Sequence, residues 1–158
     1  MATPAHASEA GRVLILACGN SLRSDDGIGL KIGCAVEDQP PRSNLKVILS
    51  QQLLPEHAFD ISESDVVVFV DCSAVTAAGV VTTMTIHPAE KLPTILTHHL
   101  DPASLMKMAK ELYGHMPTHA FAVTVGAGSF DLSEKLTPPV EAAIPAAIEA
   151  VRKVLLTP

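Results

Sequence analysis

Two rhythms of apolar residues alternate along this chain. Mainly apolar runs of strand length occupy 12–18, 45–49, 66–71 and 121–125, unbroken over 13–17, and between them apolar positions recur at helical spacing. After the first run, Ile28, Leu30, Ile32, Ala35 and Val36 predict a helix over 26–37. Asp38-Gln39-Pro40-Pro41 ends it, because proline disfavours helix both at itself and in the residue before. Residues 55–61 read as a short helical turn. Asp101-Pro102 opens another helix, with Asp as N-cap and Pro as its first residue, and carries Leu105, Met108, Ala109 and Leu112 on one side. Thr137-Pro138 is a second capped start, and the closing helix shows Val140, Ile144, Ile148, Val151 and Leu155, with a kink expected at Pro145.

The run 66–71 is apolar at every position until it ends in Asp71, as in a strand buried on both faces of a parallel sheet. Residues 80–86 instead alternate with threonine. The connection before them, 72–79, is too short for a helical crossover, so this strand is antiparallel to its predecessor or lies at an edge. The prediction is a three-layer α/β fold. Its five-stranded twisted sheet is mostly parallel with one antiparallel strand, and helices cover both faces. Ligands of such sheets collect beyond the carboxyl ends of the parallel strands. Asp25 and Asp26 follow the first strand and Asp71 ends the third, so these acids share one edge.

Composition narrows the function. The 158 residues suit one domain over 12–158, preceded by an Ala/Ser/His-rich flexible tail over 1–11. With 47% hydrophobic residues, 18% charged residues and a formal net charge of -6, the chain lacks the basic surplus of nucleic-acid binders. It shows neither a signal-peptide core nor a bilayer-length apolar run, so no membrane is expected and the cytoplasm is the predicted location. Cys18, Cys34 and Cys72 are odd in number, widely spaced and without C-x-x-C. That argues against a disulfide framework or thiolate zinc site and for small buried thiols near strand ends.

The chemistry concentrates in the turn after the first strand, Gly19-Asn20-Ser21-Leu22-Arg23-Ser24-Asp25-Asp26-Gly27-Ile28-Gly29. A glycine-rich strand-to-helix turn commonly cradles phosphate. This one does not fit, because no third glycine arrives on time and two carboxylates stand where they would repel a phosphate. They are suited to a cation or a proton. Successive residues entering a helix point about 100 degrees apart, so Asp25 and Asp26 have different roles, one capping the helix and the other facing the cleft. Asp71 is costly to bury unless paired or at the sheet edge. With His98 or His99 beside a helix start, these carboxylates form a donor set for nickel, zinc or iron, or for general acid-base work. His87, His115 and His119 read as surface residues, since Pro117 prevents a helical pair. There is no G-x-S-x-G elbow for a serine hydrolase, and a cysteine protease on Cys72 would need the histidine pair as its base.

Taken together, the 19–29 turn, Phe69-Val70-Asp71, Thr97-His98-His99 ahead of a helix, Gly126-Ala127-Gly128-Ser129-Phe130 and Leu136-Thr137-Pro138-Pro139-Val140 resemble the nickel-iron hydrogenase maturation endopeptidases. The resemblance implies an aspartic-type, metal-recognising hydrolase that removes a C-terminal extension from the hydrogenase large-subunit precursor after nickel insertion. Matched by motif, Asp26, Asp71 and His99 would be both the catalytic and the metal-contacting residues, with His98 at the variable position before the histidine ligand. No cofactor of its own is implied, because the nickel belongs to the precursor. One departure is plain: the Asp-Gly-Gly-type turn of many members is replaced by Leu49-Ser50-Gln51-Gln52-Leu53-Leu54-Pro55. Two other readings use the same residues, an autonomous zinc-type metallohydrolase and a non-catalytic nickel- or precursor-binding chaperone.

Overall fold

The computed structural model describes residues 11–40, 42–93 and 100–156. Five strands, β1 (Val13–Cys18), β2 (Leu45–Ser50), β3 (Val66–Ser73), β4 (Val81–Thr85) and β5 (His119–Gly126), form one sheet in the order β2-β1-β3-β5-β4. All neighbouring pairs are parallel except β4 with β5. Helices α1 (Ile28–Glu37), α2 (His57–Ser62), α3 (Pro102–Tyr113) and α4 (Pro138–Leu155) complete the α/β fold expected from the pattern.

Side chains alternate across a strand, so a run that is apolar throughout feeds both faces. On β1 and β3, Ile15, Ala17, Val68 and Val70 face a core shared with Ile28 and Ile32 of α1 and with Val140, Ala147 and Val151 of α4. Leu14, Leu16, Val67 and Phe69 face the opposite core, shared with Ile61 of α2 and with Leu105, Met106 and Ala109 of α3. These three layers put β1 and β3 in the middle. The alternating strand is indeed antiparallel and at an edge, but its partner is β5, not the preceding β3. The crossover through α3 inserts β5 between them.

Local chemistry sets the helix ends. Asp101 Oδ1 accepts the Ser104 amide at 2.7 Å, Pro102 opens α3, and Gly114 closes it at φ 77°, in the left-handed region that glycine enters freely. Leu112, expected on the buried side, is exposed in the last turn. α4 continues as one helix through Pro145. That proline and Glu141, whose carbonyl it leaves unpaired, are both exposed, which lets water take the missing partner's place.

Connections from β1 leave toward β2 on one side, while β3 lies on the other. The carboxyl ends of β1 and β3 therefore flank a topological switch point, where α/β sheets open a crevice.

Candidate active site

A cleft of about 630 Å³ lies at that switch point, with Asp26, Asp71 and Cys72 in its wall. The chain reaches it through a tight entry. A Cβ on Gly19 would lie 2.0 Å from the Asp26 carbonyl oxygen, and one on Gly29 would lie 2.1 Å from that of Cys18 and 2.8 Å from that of Val70. Only glycine lets the start of α1 press against the ends of β1 and β3. Residues 24–27 form a 3₁₀ turn, so α1 begins two residues later than the apolar spacing predicts.

The two adjacent aspartates part company in this turn. Asp25 is fully buried. Its Oδ2 accepts the Gly128 amide at 2.8 Å, the Ser129 amide at 3.0 Å and the Thr137 hydroxyl at 2.7 Å, while Oδ1 accepts the Thr137 amide at 2.7 Å. It caps no helix of its own turn. Instead it ties the acidic turn to the loop after β5 and to the residue before α4. Burial pushes its carboxyl up, but the hydrogen bonds from Thr137, Gly128 and Ser129 prevail and hold it below the usual carboxylate range.

Asp26 faces the cleft. Its Oδ2 accepts the Asn20 amide at 3.0 Å and its Oδ1 accepts the Cys72 thiol at 3.3 Å. Asp71 has one amide on its carboxylate, that of Cys72 at 2.7 Å. Its burial raises the carboxyl to about 6, against the lowering effect of that amide, and the neighbouring Asp26 charge raises it further. One ligand atom each from Asp26, Asp71 and Cys72 lie within 4.8 Å of one another, the one such group of three among the described residues. A larger, open groove of about 960 Å³, beside α1 and β2, contains no such convergence.

No family model matches this sequence, and neither does any curated protein. Solved structures do. The hydrogenase maturating endopeptidase HybD from E. coli superposes with a TM-score of 0.74 at 26% identity, over 91% of each chain. The chain is similar in fold to the hydrogenase maturation endopeptidases. An endopeptidase from Escherichia coli is similar, with a TM-score of 0.69 at 25% identity over 91% of both chains. The [NiFe] hydrogenase maturation protease HycI from Thermococcus kodakarensis shares the fold at 22% identity, with a TM-score of 0.69 over 92% of this chain and 93% of its own.

Two of the three residues expected from the resemblance, Asp26 and Asp71, come together although 45 positions separate them in the chain. His98 and His99 lie outside the described residues. The chain is described again from Leu100, which lines the same cleft as the two acids. Gln51 and Gln52, from the stretch that replaces the glycine turn, also line it. His87, His115 and His119 are exposed, as read from the sequence. Of the thiols, Cys18 is buried and Cys72 half-buried, but Cys34 is exposed on α1 because its helical position turns away from the sheet. Sequence reasoning weighs Cys72 only as a cysteine-protease nucleophile and does not place it with Asp26 and Asp71. Its signal is adjacency to Asp71; β3 does not end at that aspartate, as the apolar run suggests, but runs on through Cys72 to Ser73. Among the described residues no helix is long and apolar enough to cross a membrane.

Proposed function

We propose that this chain is the endopeptidase that removes the C-terminal extension from a nickel-loaded [NiFe] hydrogenase large-subunit precursor in the cytoplasm. Asp26, Asp71 and His99 contact the metal and serve the cleavage. The supporting observation is the convergence of Asp26 and Asp71 at the switch-point cleft without a cationic partner on either carboxylate among the described residues. His99 is joined through one peptide bond to Leu100, which lines that cleft.

The electrostatics explain how such a protease could inspect its client. Two carboxylate charges within 4.8 Å repel by roughly 3.5 kcal/mol at an effective dielectric of about 20. A precursor carrying nickel brings the compensating charge with it, whereas an empty precursor leaves the repulsion in place. The ion is thus part of the substrate, and the enzyme holds no cofactor of its own. Hydrolysis then needs a water stripped of a proton beside the scissile carbonyl. The carboxylates of Asp26 and Asp71 are the proton acceptors that converge in the cleft, and the precursor's nickel would polarise that carbonyl.

The test is a processing assay on co-expressed large-subunit precursor, purified with and without nickel and read by mass spectrometry of its C-terminus. Loss of the extension only from nickel-loaded precursor is expected. An intact C-terminus after incubation would remove proteolysis from the account. Equal cleavage of both precursors would remove the metal check.

A further inference from the structure

The proposed reaction leaves the thiols of the cleft unused. Cys18 and Cys72 both line it, whereas Cys34 faces solvent on α1. Cys18 is 3% exposed and, among the described residues, makes no hydrogen bond through its sulfur. Cys72 has a more definite setting. Its Sγ stands 3.3 Å from Asp26 Oδ1, and its ligand atom belongs to the group that lies within 4.8 Å together with Asp26 and Asp71.

That spacing suits coordination. An ion about 2.1 Å from oxygen and about 2.3 Å from sulfur holds neighbouring donors about 3.1 to 3.6 Å apart, between right-angled and tetrahedral arrangements. The Asp26–Cys72 pair already has it. Thiolate sulfur also changes which ions fit: magnesium and calcium prefer all-oxygen sets, whereas nickel, cobalt and zinc accept a mixed one. A site meant to reject hard cations gains from a sulfur donor.

We propose that Cys72 is a third donor to the ion faced by Asp26 and Asp71, and that the three give the cleft a weak preference for borderline-soft divalent cations, measurable with added ion, while the precursor remains the source of the ion in the reaction. The inference rests on the reading of Asp26 and Asp71 as metal contacts. On binding, the S–H bond breaks, its proton passes to the buffer and a sulfur–metal bond forms, with no change of oxidation state. The bland alternative is that the thiol only donates a hydrogen bond to Asp26, which a serine hydroxyl would also do.

Cobalt(II) added to the purified full chain separates the two roles, because a thiolate ligand produces charge-transfer absorption in the near ultraviolet. The band is expected in the unaltered protein and in the Cys18→Ser and Cys34→Ser variants. It should vanish in Cys72→Ser and Cys72→Ala, with cobalt bound at least about tenfold more weakly and magnesium binding unchanged. Thermal unfolding confirms that each variant is folded. A band that survives Cys72→Ser, cobalt saturation of the unaltered protein without a band, or no cobalt binding at all would each overturn the proposal. Precursor processing by a protein lacking the band would discard the thiolate and leave the protease standing. A band alongside an uncut precursor would do the reverse.

Discussion

Asp25 and the Asp26–Asp71 cup are separated by one peptide bond and are built on opposite principles. Asp25 is fully buried yet receives four hydrogen bonds, and its carboxyl lies below the ordinary range because those donors outweigh the burial. Asp71 receives one backbone amide, faces a second carboxylate and is raised to about 6, with burial the largest cause. A carboxylate's role follows from the donors that reach it, not from its place in a motif. The satisfied acid holds the architecture, while the under-satisfied one is left wanting a cation.

Breaking the cup should have the largest effect, and chiefly on function. Asp26→Asn, Asp71→Asn and His99→Ala are each expected to slow precursor processing by at least about a thousandfold, equivalent to roughly 4 kcal/mol, with unchanged circular dichroism. Normal processing by all three would reject the site. Breaking the anchor should act on the fold instead. Asp25→Ala leaves two loop amides, the Thr137 amide and the Thr137 hydroxyl without their acceptor. With about 1–3 kcal/mol for each buried group left unsatisfied and partial relaxation of the loop, a loss of about 3 kcal/mol is expected in urea unfolding. An Asp25→Ala protein of full stability would show that these bonds hold nothing together.

The sheet was legible because burial on both faces writes itself as unbroken apolar runs, and 66–71 gave β3 its central place directly. That β4 is either antiparallel to its predecessor or at an edge was legible from the short connection before it, but its pairing with β5 was not, since that depends on where a later crossover returns. The convergence of Asp26 with Asp71 followed from strand ends sharing one side of a parallel sheet. The division of labour with Asp25 was half legible: the angular step between successive residues separates the two side chains. Only the fold brings Gly128, Ser129 and Thr137, more than a hundred positions away, onto one of them. Cys72 escaped because a lone cysteine beside an apolar run is ordinarily packing, and its contact with Asp26 is made with a residue 46 positions away.

The smaller effect, and the one that sharpens the contrast, is a gain of stability on losing function. In metal-free protein the Asp71 charge is unfavourable, and asparagine removes it while keeping a carbonyl oxygen for the Cys72 amide. Raising a carboxyl from 3.8 to about 6 costs at most about 3 kcal/mol at 1.36 kcal/mol per unit. Water at the half-buried side chain reduces this to about 1–2 kcal/mol. The sign fixes the pH window. Between about 4 and 6 the native state binds more protons at Asp71 than the unfolded chain does, so the unaltered protein loses stability as pH rises through that interval. Asp71→Asn lacks this loss. Its advantage should therefore be full above about 6 and shrink toward zero near 4, measured by urea unfolding of both proteins in chelator across that range. Asp25, held low, contributes the other way, with stability that is present above the unfolded carboxyl value and lost only as pH falls through its own. An Asp71→Asn protein no more stable than its parent at neutral pH, or a gap indifferent to pH, would mean that the cup is already compensated and has no need of the ion that the precursor brings.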